Sequence, residues 1–151
     1  MFYYKLNLFY EEYTWLGTKA VKKKKFISPQ WLRNIKGKKY SKWRLDTFFS
    51  KKKYTNLNFV KNGGWHFTCL RSPEELEKKL TKFAHHYEFE ESGLDLNQIK
   101  KFISERRVIY DHNVDQKSYK WSGKSILKKI DLKALPNYVY SNLNLYKEWL
   151  D

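Results

Sequence analysis

The chain has one cysteine, Cys69, so no disulfide can close within it, and that usage fits a reducing compartment. Nowhere does an apolar run approach the roughly 20 residues that a membrane span needs. No secretory leader is expected from the apolar start Met1-Phe2-Tyr3-Tyr4, which Lys5 and Asn7 interrupt. Taken as it stands, the chain reads as cytoplasmic. No internal repeat, no second domain and no helix-turn-helix, zinc-finger or RNP pattern can be traced.

What is present is a packed domain with a basic bias. Its 151 residues suit one domain, enough to bury about two-thirds of the unfolded surface. Mean hydropathy is low at −0.82, yet 19% of residues are aromatic, which argues against disorder. Acids are in short supply: 16 stand against 31 Lys and Arg, a formal charge of +15. The surplus clusters at Lys22-Lys23-Lys24-Lys25, at Lys36, Lys38 and Lys39, and at Lys51-Lys52-Lys53, between anchors such as Trp31, Trp43 and Phe48-Phe49. Such runs suit a nucleic-acid footprint, an anionic membrane surface, or a lysine-rich chain with no specific partner. The plainest reading is solvated loop charge.

The most informative stretch runs from Asn62 to Glu88. Gly63-Gly64 predicts a turn that tolerates positive φ and close approach of a backbone or ligand. Trp65 to Leu70 is aromatic and apolar enough for a buried strand. Ser72, Pro73 and Glu75 predict a capped helix start. Leu76, Leu80, Phe83 and Tyr87 then fall on one helical face. Three histidines and a carboxylate therefore ride on a turn, a strand and one helix.

Gly63-Gly64-Trp65-His66-Phe67-Thr68, then Lys79, then Phe83-Ala84-His85 with Glu88 beyond, resembles glycosyltransferase family 17. That family includes the β-1,4-mannosyl-glycoprotein 4-β-N-acetylglucosaminyltransferases, which add a bisecting N-acetylglucosamine to N-glycans. Two residues separate His85 from Glu88 where the family has one, so either His85 or His86 matches the family histidine. Weaker likeness runs from Tyr3-Tyr4-Lys5-Leu6-Asn7, through Trp15-Leu16-Gly17-Thr18 and Leu32-Arg33, to Leu135-Pro136.

Along the chain, Phe2 to Leu8 reads as a strand that starts abruptly, a hint of truncation. Tyr10 to Lys25 reads as a loop. Ser28-Pro29 predicts a short helix with Trp31, Leu32 and Ile35, and Arg33 on its side. Lys36 to Lys53 is a basic connection, and Tyr54 to Val60 suggests a strand with Leu57, Phe59 and Val60 inward. Glu90 to Gly93 closes the central helix, and Asp95 with Gln98 opens another to about Arg106, its core face Leu96, Ile99, Phe102 and Ile103. Val108-Ile109-Tyr110 is a strand candidate, followed by polar Asp111-His112-Asn113 and Asp115. Ile126 to Leu132 is brief and apolar, Pro136 interrupts, and Asn142 to Leu150 ends in a small helix.

That order predicts an α/β fold. The resemblance implies the C-terminal half of a GT-A-like, Rossmann-related nucleotide-sugar transferase. It also implies a divalent metal (Mn or Mg) held on an Asp-x-Asp motif, a UDP-N-acetylglucosamine-like donor and a glycan acceptor. Eukaryotic relatives are Golgi membrane proteins. No Asp-x-Asp occurs; Asp111-His112-Asn113 and Glu88-Phe89-Glu90 come nearest. The expectation is therefore of a fragment, inactive alone, whose metal ligands lie mostly elsewhere.

Within that resemblance Glu88 is the candidate base, at the end of the capped helix beside His85, a further catalytic candidate; His66 is a metal or diphosphate contact, and Trp65 offers a face for a sugar. Gly63 and Gly64 shape the approach, and the planar guanidinium of Arg33 suits a diphosphate. Each has a plain structural alternative. Trp65 packs in a core, the histidines are satisfied internally, Glu88 pairs with Lys79 or Lys82, and Arg33 is a surface cation. A zinc site from His66, Cys69, His85 and His86 lacks paired Cys-x-x-Cys logic, and Cys69 as nucleophile is weaker still. The competing function is a basic, non-catalytic module for nucleic acid or anionic glycan.

Overall fold

The computed structural model describes residues 1–82, 86–112 and 119–151. Three of its helices begin at the predicted side-chain caps. Ser28 Oγ accepts from the Trp31 N–H and opens α1 (Pro29–Asn34). Ser72 Oγ accepts from the Glu75 N–H and opens α2 (Pro73–Thr81). α3 (His86–Ser92) closes where Gly93 takes φ +67. Asp95 and Gln98 then form a reciprocal capping box for α4 (Leu96–Ser104). Each cap satisfies an orphan helix N–H and is worth about 1 kcal/mol.

The expected single helix through Tyr87 is two helices. Thr81 Oγ1 bonds back to the carbonyls of Glu77 and Lys78, and Lys82 leaves the helical region at φ −107. A back-bonding, β-branched residue offers the chain an alternative to continuing the ladder. Phe83, Ala84 and His85 lie outside the described residues, as do Asn113 and Asp115.

The described residues gather in two compact units, Leu16–Gly63 and the remainder, Met1–Trp15 with Gly64–Asp151. The second of these holds a mixed four-stranded sheet of two-residue strands: β1 (Phe2–Tyr3), β2 (Leu8–Phe9), β3 (Phe67–Thr68) and β4 (Lys128–Lys129), in the order β3-β1-β2-β4. β1 runs antiparallel to β2, with Phe2 opposite Phe9, and parallel to β3, with Phe2 opposite Phe67. β2 and β4 are antiparallel.

In place of one strand from Phe2 to Leu8, the chain turns at Tyr4, which takes φ +63. A tyrosine pays steric strain there, but its buried hydroxyl accepts from the Ile109 N–H at 2.8 Å, and its ring meets Tyr3 edge-on at 4.6 Å. Buried Asn7 ties the start of this unit to its end. Its amide donates to the Asp151 carbonyl and accepts from the Asp151 N–H.

Strand alternation sorts side chains onto two faces. Tyr3 and Leu8 join Leu76, Leu80, Phe89, Ile99, Val108, Ile109 and Trp121 in the larger core. Phe2, Leu6 and Leu135 pack with Phe9, Phe67, Leu70 and Trp149 on the other. α2 packs against both α3 and α4. Among the described residues Val108–Tyr110 forms no strand: an isolated bridge joins Arg107 to Ile126, and the Val108, Ile109 and Asp111 N–H groups go to Ser125, the Tyr4 hydroxyl and Lys120. The chain ends in α5 (Asn137–Ser141) and a 3₁₀ run, Leu143–Trp149.

In the Leu16–Gly63 unit, Lys19 Nζ donates to the carbonyls of Arg33 and Ile35 at the end of α1, and Trp31 Nε1 donates to Lys51 O. Tyr54 to Val60 forms no strand; Leu57 and Phe59 line a concavity instead, and Val60 faces water. With no neighbouring strand edge in the unit, alternation has nothing to pair with. The architecture is thus mixed α/β, a small mixed sheet among several helices. Among the described residues, no helix is long and apolar enough to cross a membrane.

Candidate functional site

The residues preceding β3 sit where an exposed ring and a packed one meet. Gly64 adopts φ +157, a conformation other residues avoid, with open space where a Cβ would stand. Freedom of φ, not close approach, is what requires glycine there. The left-handed residue of the preceding turn is Asn62, not Gly63; Gly63 and Asn62 belong to the Leu16–Gly63 unit.

Trp65 is not the buried strand residue expected. Its side chain is about half exposed, at 50%, and its Nε1–H is fixed to the Ala134 carbonyl at 2.8 Å. A half-open indole anchored by its N–H presents a rigid apolar face. His66 is half-buried. Its carbonyl accepts from the Phe2 N–H, and its imidazole lies flat on Trp15, centroids 3.7 Å apart at 13°. Burial, then the nearby α-ammonium of Met1, lowers the His66 pKa below its ordinary 6.5, so the ring is neutral at physiological pH.

A second group, on the polar Asp111-His112 segment, lies in the same unit. His112 stacks on Tyr13 (5.0 Å) and meets Tyr110 edge-on (4.9 Å). Desolvation chiefly lowers its pKa; the Asp111 carboxylate opposes this, while Lys120 and His66 add to the lowering. Tyr110 meets Trp121, and Trp121 meets Phe89 of α3, so rings link His112 to the helix that carries Glu88.

Beside His112, Asp111 is buried. The Tyr10 hydroxyl donates to its Oδ1 at 2.6 Å, and Ser125 Oγ lies 2.8 Å from its Oδ2 and 2.9 Å from Glu12 Oε2. Ser125 has one proton to donate, so it serves one carboxylate at a time. Desolvation and the Asp111 bond push the Tyr10 pKa up to about 12. The chain of Asp111, Ser125 and exposed Glu12 leads from the interior to water. No local pattern marks it, since Tyr10, Asp111 and Ser125 are far apart in sequence.

The remaining candidates are dispersed. Glu88 is exposed in the first turn of α3, not at the end of the capped helix; its neighbour Phe89 is the buried anchor. His86 packs its ring on Tyr87 at 4.0 Å. His85 lies outside the described residues. Arg33 is exposed on α1 of the other unit, while Leu32 and Ile35 line that unit's concavity of about 150 Å³. Cys69 stands just past β3 at φ +54, its sulfur 3.7 Å from the Thr68 hydroxyl. Among the described residues, no three His, Cys, Asp or Glu side chains gather as metal ligands.

No protein-family model, curated protein or solved structure matches this chain.

Proposed function

We propose that the chain is a glycosyltransferase-like domain of the family 17 type, the C-terminal half of a GT-A-like fold that handles a nucleotide sugar such as UDP-N-acetylglucosamine and a glycan acceptor. The observation that carries this reading is the Trp15–His66 stack. Trp15 belongs to the Trp-x-Gly-Thr segment and His66 to the Gly-Gly-Trp-His segment, so two separate stretches of likeness meet in one place. The parallel pairing of β1 with β3 in a mixed sheet is in keeping with such a fold.

In this reading the open face of Trp65 stacks on a sugar ring, and neutral His66 hydrogen-bonds donor oxygens. Transfer with inversion forms a bond from the acceptor oxygen to the anomeric carbon. The bond to the diphosphate breaks, and the diphosphate leaves with its electron pair. Glu88 is the carboxylate that takes the acceptor proton. Without an Asp-x-Asp motif the chain alone turns over no nucleotide sugar, and release of UDP by the purified chain contradicts that. Equilibrium binding of UDP-N-acetylglucosamine tests the reading: Trp65→Ala and His66→Gln each weaken it about tenfold, by loss of stacking or of one hydrogen bond. Undiminished binding by both variants refutes the site.

A further inference from the structure

The Leu16–Gly63 unit carries nearly all of the chain's charge. Fifteen Lys and Arg residues fall within it against one acid, Asp46, which leaves +14 of the total +15. It also buries almost nothing: among its described residues only Thr47 is buried. Its apolar side chains instead stand open to water around one short 3₁₀ turn, Leu45–Thr47. Trp43 is 91% exposed, Leu45 74%, Phe48 75% and Phe49 92%.

That turn is internally built. Asp46 accepts from Arg44 Nε and Nη2, each at 2.8 Å, and from Lys53 Nζ at 2.7 Å, and the Thr47 hydroxyl donates to Arg44 O. Arg44 and Lys53 both lie over the Tyr40 ring. The lone acid is thereby neutralised, and exposed Lys42, Lys51 and Lys52 flank the apolar residues. A turn so fixed that still holds two phenylalanines, a tryptophan and a leucine in water marks an interaction surface.

We infer that the Trp43–Phe49 turn docks on an anionic membrane surface, its apolar side chains entering the headgroup boundary and its flanking lysines meeting lipid phosphate and carboxylate. Charge complementarity selects an anionic partner. The mixture of apolar types selects lipid over a polyanion: aromatic rings stack on bases, but Leu45 has no face to stack and gains only by leaving water. This inference is independent of the glycosyltransferase reading.

Flotation of the intact chain with phosphatidylcholine vesicles, with and without phosphatidylserine, tests it at physiological salt. The expected result is at least about tenfold greater retention on the anionic vesicles, lost about tenfold in the double variant Trp43→Ser/Phe49→Ser, since each ring forfeits its transfer from water. Both rings are almost fully exposed, so the variant keeps the wild-type circular dichroism. A second variant, Lys51→Gln/Lys52→Gln, loses the preference for anionic vesicles. Equal retention on neutral vesicles, or undiminished retention of the ring variant, overturns the inference. So does tighter binding of a single-stranded oligonucleotide lost in the ring variant, which marks nucleic acid, or self-association abolished by that variant, which marks a second copy.

Discussion

Trp15 and His66 lie face to face, 3.7 Å between centroids, although the whole basic unit separates them in sequence. The contact covers one face of an imidazole that burial keeps below its ordinary pKa. Trp15→Ala uncovers that face and rehydrates the imidazolium, so the His66 pKa climbs towards 6.5. A pH titration of the imidazole carbon-bound protons by NMR reads this directly; an unmoved pKa shows that Trp15 does not desolvate the ring.

Depressed histidine pKa values also set a direction for stability. For both His66 and His112 the unfolded chain takes up a proton before the folded one as pH falls. Their contribution is therefore fully present above the unfolded value and is lost progressively below it. Urea midpoints fall between about pH 7.5 and about pH 5, and the fall is smaller in His66→Gln/His112→Gln, which has no imidazole to charge at either of these two positions. An equal fall in the variant contradicts the assignment.

Tyr10 gives the opposite sign at the alkaline end. Its pKa is raised to about 12, so the stability it contributes is present below 10.0 and is lost as pH rises through the folded value. Tyr10→Phe removes the 2.6 Å bond to buried Asp111 and costs about 1–3 kcal/mol near neutrality, measured by urea unfolding. The variant also loses the latest-titrating part of the alkaline decline. A neutral substitution shows that the bond adds nothing net.

Gly123 supplies a test of packing. It takes φ +60, and a Cβ there lies 2.7 Å from the Phe102 ring. Gly123→Ala combines backbone strain with a clash and destabilises by about 1–3 kcal/mol. Gly123→Ala with Phe102→Leu recovers part of the clash but none of the strain.

What the sequence disclosed was local. Ser28, Ser72 and the Asp95–Gln98 pair cap their helices through partners three residues away, so their spacing announces them. Gly93 ends α3 for the same kind of reason. Strands are less legible, because distant pairing partners decide them. Tyr54 to Val60 alternates without an edge to join, while Phe2 to Leu8 is split by a turn that the distant Ile109 N–H helps to hold. The site was half legible. The motif drew attention to Trp65 and His66, but Trp15 over His66, and Ser125 between Asp111 and Glu12, arise only when remote segments meet.

The central claim is that Trp65 and His66 form part of a nucleotide-sugar site, and the indole N–H groups report on it most directly. A ¹H–¹⁵N spectrum of the intact chain, with its six indole signals assigned by single Trp→Phe variants, is titrated with UDP-N-acetylglucosamine to millimolar concentration. The account predicts saturable shifts of the Trp65 and Trp15 signals that vanish in His66→Gln. Both signals unmoved throughout, or shifts confined to Trp31 and Trp43 of the basic unit, contradict it.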